Sequence, residues 1–208
     1  MTQILMENVS FKFGRSFRIL ENFSLEVKKG ELLYLEGQNA SGKSTVLKIL
    51  LGIIKPDQGI VKILDKNPYY NPEVLKKVGA VVDGMGFYVD LSLKENVLLF
   101  AKEKGINDES VKMLENYIKM WNIDFETIYK KSSHGMRKIA QLTFSIMGDP
   151  EILIWDEPEL ALDEKRQEVL LNLVKDYKSR QKTLVIAGTN PNFYGNLIDK
   201  TVHKEVIL

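Results

Sequence analysis

The run Gly37-Gln38-Asn39-Ala40-Ser41-Gly42-Lys43-Ser44-Thr45 constrains this chain more than any other stretch. It fits G-x-x-x-x-G-K-[ST], a pattern in which each part has a physical task. Gly37 and Gly42 permit turns that a Cβ would obstruct, so successive backbone N–H groups can converge on an anion. A helix starting near Gly42 points the positive end of its dipole at the same place. Lys43 can reach the β and γ phosphates of a nucleotide, and the Ser44 hydroxyl offers an oxygen to Mg²⁺. The flanks agree. Leu32-Leu33-Tyr34-Leu35 reads as a buried strand, and Val46 to Leu51 as a helix that stops at Gly52. The expectation is a site for a nucleoside triphosphate.

Composition narrows the surroundings. With 208 residues, 44% hydrophobic and 27% charged, the chain is long enough to bury a full core. A net charge of +1 with no basic run argues against a nucleic-acid partner. There is no cysteine, so disulfides and thiolate metal sites are excluded. The start, Met1 to Glu7, lacks the basic-then-apolar pattern of a secretory signal. No stretch approaches the ~18 apolar residues of a spanning helix. A cytoplasmic protein is expected, reaching a membrane only through a partner.

Patterning divides the chain into three. Residues 1–30 alternate apolar and polar, as in Ser24-Leu25-Glu26-Val27, which suggests antiparallel strands. Residues 31–82 and 150–208 carry continuous apolar runs with helices between them, as in a parallel sheet covered on both faces. From about 85 to 149 the period is near 3.6, with helices expected over Leu93 to Lys104, Glu109 to Trp121 and Gly135 to Met147. The fold class read from this is α/β: a P-loop core of mostly parallel sheet, an N-terminal antiparallel β subdomain and an inserted helical subdomain.

Ile152-Leu153-Ile154-Trp155 ends in Asp156-Glu157-Pro158. Ligands of open parallel sheets sit beyond the carboxyl ends of the strands, where Asp156 and Glu157 would fall. Asp156 can hold Mg²⁺, and Glu157 can orient and polarise a water beside the γ-phosphate. Acidic residues after a strand also cap helices, but the upstream P-loop favours the catalytic reading.

These motifs, in this order and spacing, resemble the ATP-binding subunit of an ATP-binding cassette (ABC) transporter over essentially the whole chain. The resemblance implies one cassette over 1–208, with its core at 1–84 and 150–208, ATP and Mg²⁺ as ligands, and a head-to-tail pair with a second cassette, the same chain or another. Ala161-Leu162-Asp163 is similar to the D-loop, which gives Asp163 a role across that pair. Ser132-Ser133-His134-Gly135-Met136-Arg137 lies where the signature Leu-Ser-Gly-Gly-Gln is expected, with Ser133 and Gly135 retained. Those two residues would meet the γ-phosphate held by the other cassette. Phe13, before Gly14, is similar to the aromatic residue that stacks on adenine; burial within the N-terminal sheet is the alternative.

Two residues depart from the family's pattern. Asp83 stands where the Q-loop glutamine is expected, and it can accept water or approach Mg²⁺ but lacks an amide donor. An acidic residue there, and the Ser-x-Gly-Met form of the signature, are similar to cassettes that export antimicrobial peptides. Thr189 replaces the switch histidine after Thr183-Leu184-Val185-Ile186-Ala187, and it cannot carry positive charge. The resemblance therefore implies an ATPase, with Glu157, Lys43 and Thr189 at the chemistry, that energises a membrane permease at the cytoplasmic face. Export is the expected direction and slowed hydrolysis the expected rate. The alternatives are a weakly hydrolytic clamp paired with a more complete cassette, or a cassette with no role in transport.

Overall fold

The continuous apolar runs become five parallel strands: β3 (Leu32–Glu36), β5 (Val78–Val81), β6 (Ile152–Asp156), β7 (Thr183–Gly188) and β8 (Lys200–His203), in the order β5-β6-β7-β3-β8. The computed structural model describes residues 1–14, 17–82, 84 and 86–206, and of Phe17 the backbone alone. Successive side chains of a strand point to opposite faces, so each central strand feeds two cores. Leu33, Leu35, Ile152, Ile154, Val185 and Ala187 pack with helix α1 (Lys43–Leu50) and the antiparallel sheet. Leu32, Tyr34, Leu153, Trp155, Leu184 and Ile186 pack with α2 (Leu93–Glu103), α5 (His134–Ile146) and α6 (Glu164–Ser179). Coverage on both faces is why these strands are apolar without alternation.

The antiparallel sheet contains β1 (Thr2–Phe13) between β2 (Phe17–Lys28) and β4 (Gln58–Ile63). Its hairpin matches the expectation for residues 1–30. β4 does not match the expectation for 31–82, because it leaves the parallel core and pairs antiparallel with β1. Only Val61 and Ile63 of β4 are buried, the half-buried alternation of a sheet with one wet face. In sequence, Ile60-Val61-Lys62-Ile63-Leu64 reads as a nearly unbroken apolar run. The β1–β2 ladder slips between Met6 and Val9, where Asn8 takes a left-handed φ of 50° and donates its amide to Ser24 Oγ at 2.9 Å.

The helical segment differs from expectation in one place. Glu109 to Trp121 is two helices, α3 (Asp108–Lys112) and α4 (Leu114–Trp121), joined at Met113. A capping box of Ser92 and Glu95 starts α2. Buried Asn96 holds the chain ahead of it, accepting from the Tyr88 amide at 2.6 Å and donating to the Tyr88 carbonyl at 3.0 Å. The segment is thereby fixed with Phe87 inside and Tyr88 outside.

Candidate nucleotide site

The loop from Gly37 to Gly42 joins the end of β3 to the first turn of α1. Its glycines are dictated by space. A Cβ on Gly37 would lie 2.4 Å from the Lys204 carbonyl, and one on Gly42, whose φ is +99°, would lie 2.6 Å from Ile19 Cγ2. No side chain caps α1 and its first turn carries no acidic residue, so its amides face the cleft with their partial charge unopposed. Buried Lys43 donates to the carbonyls of Gly37 at 2.8 Å and Gln38 at 3.1 Å, and its Nζ lies 3.6 Å from Glu157 Oε1. Ser41 Oγ, in a residue 3% exposed, has no hydrogen-bond partner among the described residues.

Asp156 ends β6 only 6% exposed. Burial pushes its carboxyl up, a hydrogen bond with Ser44 pulls it down, and the charge of Glu157 pushes it up again. Glu157 turns the chain with a left-handed φ of 44°, sparsely populated for a residue with a Cβ, and its amide donates to the Ala187 carbonyl at 2.8 Å. This turn aims its carboxylate at Lys43. One cleft of about 410 Å³ is lined by Asn39, Ala40, Gly42, Lys43, Ser44, Thr45, Asp156 and Glu157, joined by Ile19, His134, Lys138 and Leu160.

The donor set fits a nucleoside triphosphate with Mg²⁺. Among the described residues no three His, Cys, Asp or Glu side chains gather as a metal cage. Ser44 and Asp156 instead bring one hydroxyl and one carboxylate together, the sparse oxygen set that suits Mg²⁺ shared with phosphates.

Other expected residues lie elsewhere. Phe13 does not line this cleft; its ring is 50% exposed and meets Phe11 edge-on at 4.8 Å. The β2 residue Ile19 is there instead. Thr189 lines a neighbouring opening with Glu36, Gly37, Gln38, Asn39 and His203, whose Nδ1 is 3.2 Å from Glu36 Oε2. Asp83 lies outside the described residues.

Ser133, Gly135 and Asp163 are brought together, but in a separate cleft of about 440 Å³ with Asn122, Asp124, Ala161 and Arg166. Ser133 caps α5 by accepting from the Met136 amide at 3.2 Å, and Asp163 caps α6 by accepting from the Arg166 amide at 3.0 Å. A Cβ on Gly135 would lie 2.4 Å from the Ala161 carbonyl, which locks the two helix starts together. The first turn of α5 divides the two clefts: His134 faces the P-loop side, Ser133 and Gly135 the other. Lys138, one turn after His134, donates to the Asp156 carbonyl at 3.1 Å. Sequence reasoning gave Ile19, His134 and Lys138 no role; the i, i+4 spacing of His134 and Lys138 was the available signal.

A glycine-walled loop opening a helix, beside an acidic pair that closes a parallel strand, defines a P-loop nucleotide-binding protein. Residues 20–159 match the ABC transporter family, and the chain belongs to that family. It is 30% identical over 192 residues to the bacitracin transport ATP-binding protein BcrA of Bacillus licheniformis, spanning 90% of this chain and 62% of that protein. It is 28% identical to the lantibiotic transport ATP-binding protein SrtF of Streptococcus pyogenes, spanning 88% and 78%. In structure it resembles a dimeric bacterial ABC transporter cassette, with 26% identity, a TM-score of 0.84, and 97% of this chain and 94% of that one covered. An ATP-binding subunit of an ABC transporter shares the fold at a TM-score of 0.88 and 22% identity, over 98% of this chain and 88% of that one.

Proposed function

We propose that this chain is a single cassette that binds and hydrolyses Mg·ATP as half of a head-to-tail pair, and that the pair drives a separate membrane permease. One observation carries the pairing. Lys43, Asp156 and Glu157 line one cleft while Ser133, Gly135 and Asp163 line another, so each chain holds two half-sites. A second cassette facing it in the opposite sense completes both.

In the proposed reaction the P-loop amides and Lys43 bind the phosphates, Lys43 exchanging its bonds to Gly37 and Gln38 for phosphate oxygens. Glu157 orients and polarises the attacking water and accepts its proton. Ser44 and Asp156 would hold Mg²⁺, which would supply positive charge to the phosphoryl oxygens. Ser133 and Gly135 donate to the γ-phosphate held by the partner cassette, with Asp163 beside them. The exposed ring of Phe13 offers a face for adenine.

The permease reading is supported by an apolar groove of about 360 Å³, lined chiefly by Leu51, Ile53, Pro72, Leu75, Val78, Ala80 and Phe144. Among the described residues no helix is long and apolar enough to cross a membrane. The proposal puts the pair at the cytoplasmic face, held there by the permease. Export is the direction we propose, from Asp83 and Met136, and a Nod factor export ATP-binding protein of Burkholderia lata, 29% identical, is among its relatives.

Thr189 opens on a different side of the P-loop from Glu157 and carries no charge, which favours slow turnover, as in a clamp paired with a more active cassette. Losing a charge-assisted contact in such a site costs on the order of 10²-fold in rate. Steady-state turnover of Thr189→His is expected to exceed that of the wild type. Equal rates would remove Thr189 as the limiting residue.

A further inference from the structure

Two buried tyrosines meet a half-buried glutamate close along the chain to the Asp156-Glu157 pair. Tyr34 on β3 and Tyr194 are both buried, with ring centroids 5.7 Å apart. Tyr194 Oη donates to Glu159 Oε2 at 2.8 Å, and Tyr34 Oη accepts the Asn190 amide at 3.0 Å. Gly188 sits between them: a Cβ there would be 2.3 Å from Tyr34 Oη and 3.3 Å from Glu159 Oε1. Only a glycine lets both side chains close on the end of β7. Glu159 is two residues beyond Glu157, and Asn190 follows Thr189. The strands carrying these turns are neighbours in register, Asp156 against Ala187. Burial pushes the Glu159 carboxyl up, hydrogen bonds from the backbone and from Tyr194 pull it down, and the charges of Glu157 and Lys138 oppose one another. A half-buried carboxylate among aromatic rings has to be hydrogen-bonded, and here Tyr194 supplies the bond.

We infer that Glu159 is a positioning residue for hydrolysis: held by Tyr194 and facing Tyr34, it pins the Gly188–Asn190 turn that bears Thr189 against the turn that bears Glu157. The inference rests on the hydrolytic reading above. Without charge, Thr189 can offer a phosphate only the hydrogen bond of its hydroxyl, and whether that bond forms depends on where the turn holds it.

The test measures kcat, KM and Mg·ATP affinity for the full chain and for Glu159→Ala, Glu159→Gln, Tyr194→Phe and Glu157→Gln. Misplacing a reacting group by about 1 Å costs up to ~10²-fold, so Glu159→Ala and Tyr194→Phe are expected to lose about tenfold in kcat. ATP affinity should hold. Glu159→Gln, which keeps an acceptor for Tyr194, should restore most of the rate. Amide exchange over residues 186–195 should quicken in Glu159→Ala and in Tyr34→Phe. An unslowed Glu159→Ala beside an inactive Glu157→Gln overturns this inference and leaves the hydrolytic reading standing. A kcat loss matched by loss of ATP binding, or not rescued by glutamine, overturns it as well. If Glu157→Gln turns over like the wild type, the hydrolytic reading falls and this inference with it.

Discussion

The two clefts of this cassette are built by the same device and differ in what they lack. Each lies where a helix begins against a turn that needs a glycine: Gly42 at α1, and Gly135 at α5 packed on the Ala161 carbonyl. At α1 no side chain caps the helix, and Lys43, Ser44, Asp156 and Glu157 supply a cation, a hydroxyl and two carboxylates. At α5 the hydroxyl of Ser133 already caps the helix, and the adjoining Asp163 is paired with Arg166. The first cleft can hold a nucleotide and prepare its hydrolysis. Among the described residues the second lacks a lysine in the place of Lys43, and on the reading proposed above it adds donors to a phosphate brought to it. The lesson is that a site can be divided between two surfaces of one chain and become whole only on association.

Substitutions that separate the halves should show this, the largest effect first. Glu157→Gln is expected to cut turnover by about 10²-fold or more while leaving Mg·ATP binding intact. Retained turnover would deny the first cleft its chemistry. Ser133→Arg fills the second cleft and should lower turnover by about tenfold to 10²-fold. Nucleotide binding to the isolated chain should stay unchanged, and weakened binding would mean that the two clefts are one site.

Gly42→Ala and Gly135→Ala each force a Cβ into a heavy atom, and each should cost about 1–3 kcal/mol of stability, read as a lower Tm. Only Gly42→Ala should also weaken nucleotide binding. An equal loss of binding in both would blur the distinction between the clefts.

The smallest effect lies away from both, at Lys104 beside the apolar groove. Its ammonium donates to the Val78 carbonyl at 2.7 Å, and burial lowers its pKa to about 8. A cation depressed in the folded state is released there first as pH rises, while the unfolded chain still holds its proton. Between pH 8 and the ordinary lysine range, stability should therefore rise with pH, by up to ~1 kcal/mol per unit relative to Lys104→Met. Denaturant titrations at pH 7 and pH 9.5 check the sign, and a difference that does not change with pH contradicts it.

What could be read from the chain follows the range over which each feature is encoded. The P-loop and the Asp156-Glu157 pair are local: a buried strand, a turn and a helix within a few residues, and the structure puts Lys43 and Glu157 side by side. The α2 start was legible for the same reason. β4 was not, because Val61 and Ile63 are buried by β1, a strand more than fifty residues upstream, and nothing adjacent marks their antiparallel pairing. Ile19 reached the cleft in place of Phe13 because the path of a hairpin, rather than aromatic character, decides which side chain borders Gly42. The Glu159 cluster depends on three strands and two turns converging. In sequence, Tyr34 was one position of a buried strand, and nothing marked Tyr194 or Glu159.

The central claim is that Ser133 of one cassette serves the nucleotide bound by another, and complementation tests it most directly. Lys43→Ala and Ser133→Arg chains are purified, assayed alone, then mixed in equal amounts with Mg·ATP. If two copies pair head to tail, each mixed dimer has one intact site and one doubly broken site. The mixture should recover about a quarter of wild-type turnover, while Lys43→Ala alone stays inactive and Ser133→Arg alone keeps about a tenth or less. A mixture no more active than its components would contradict the divided site.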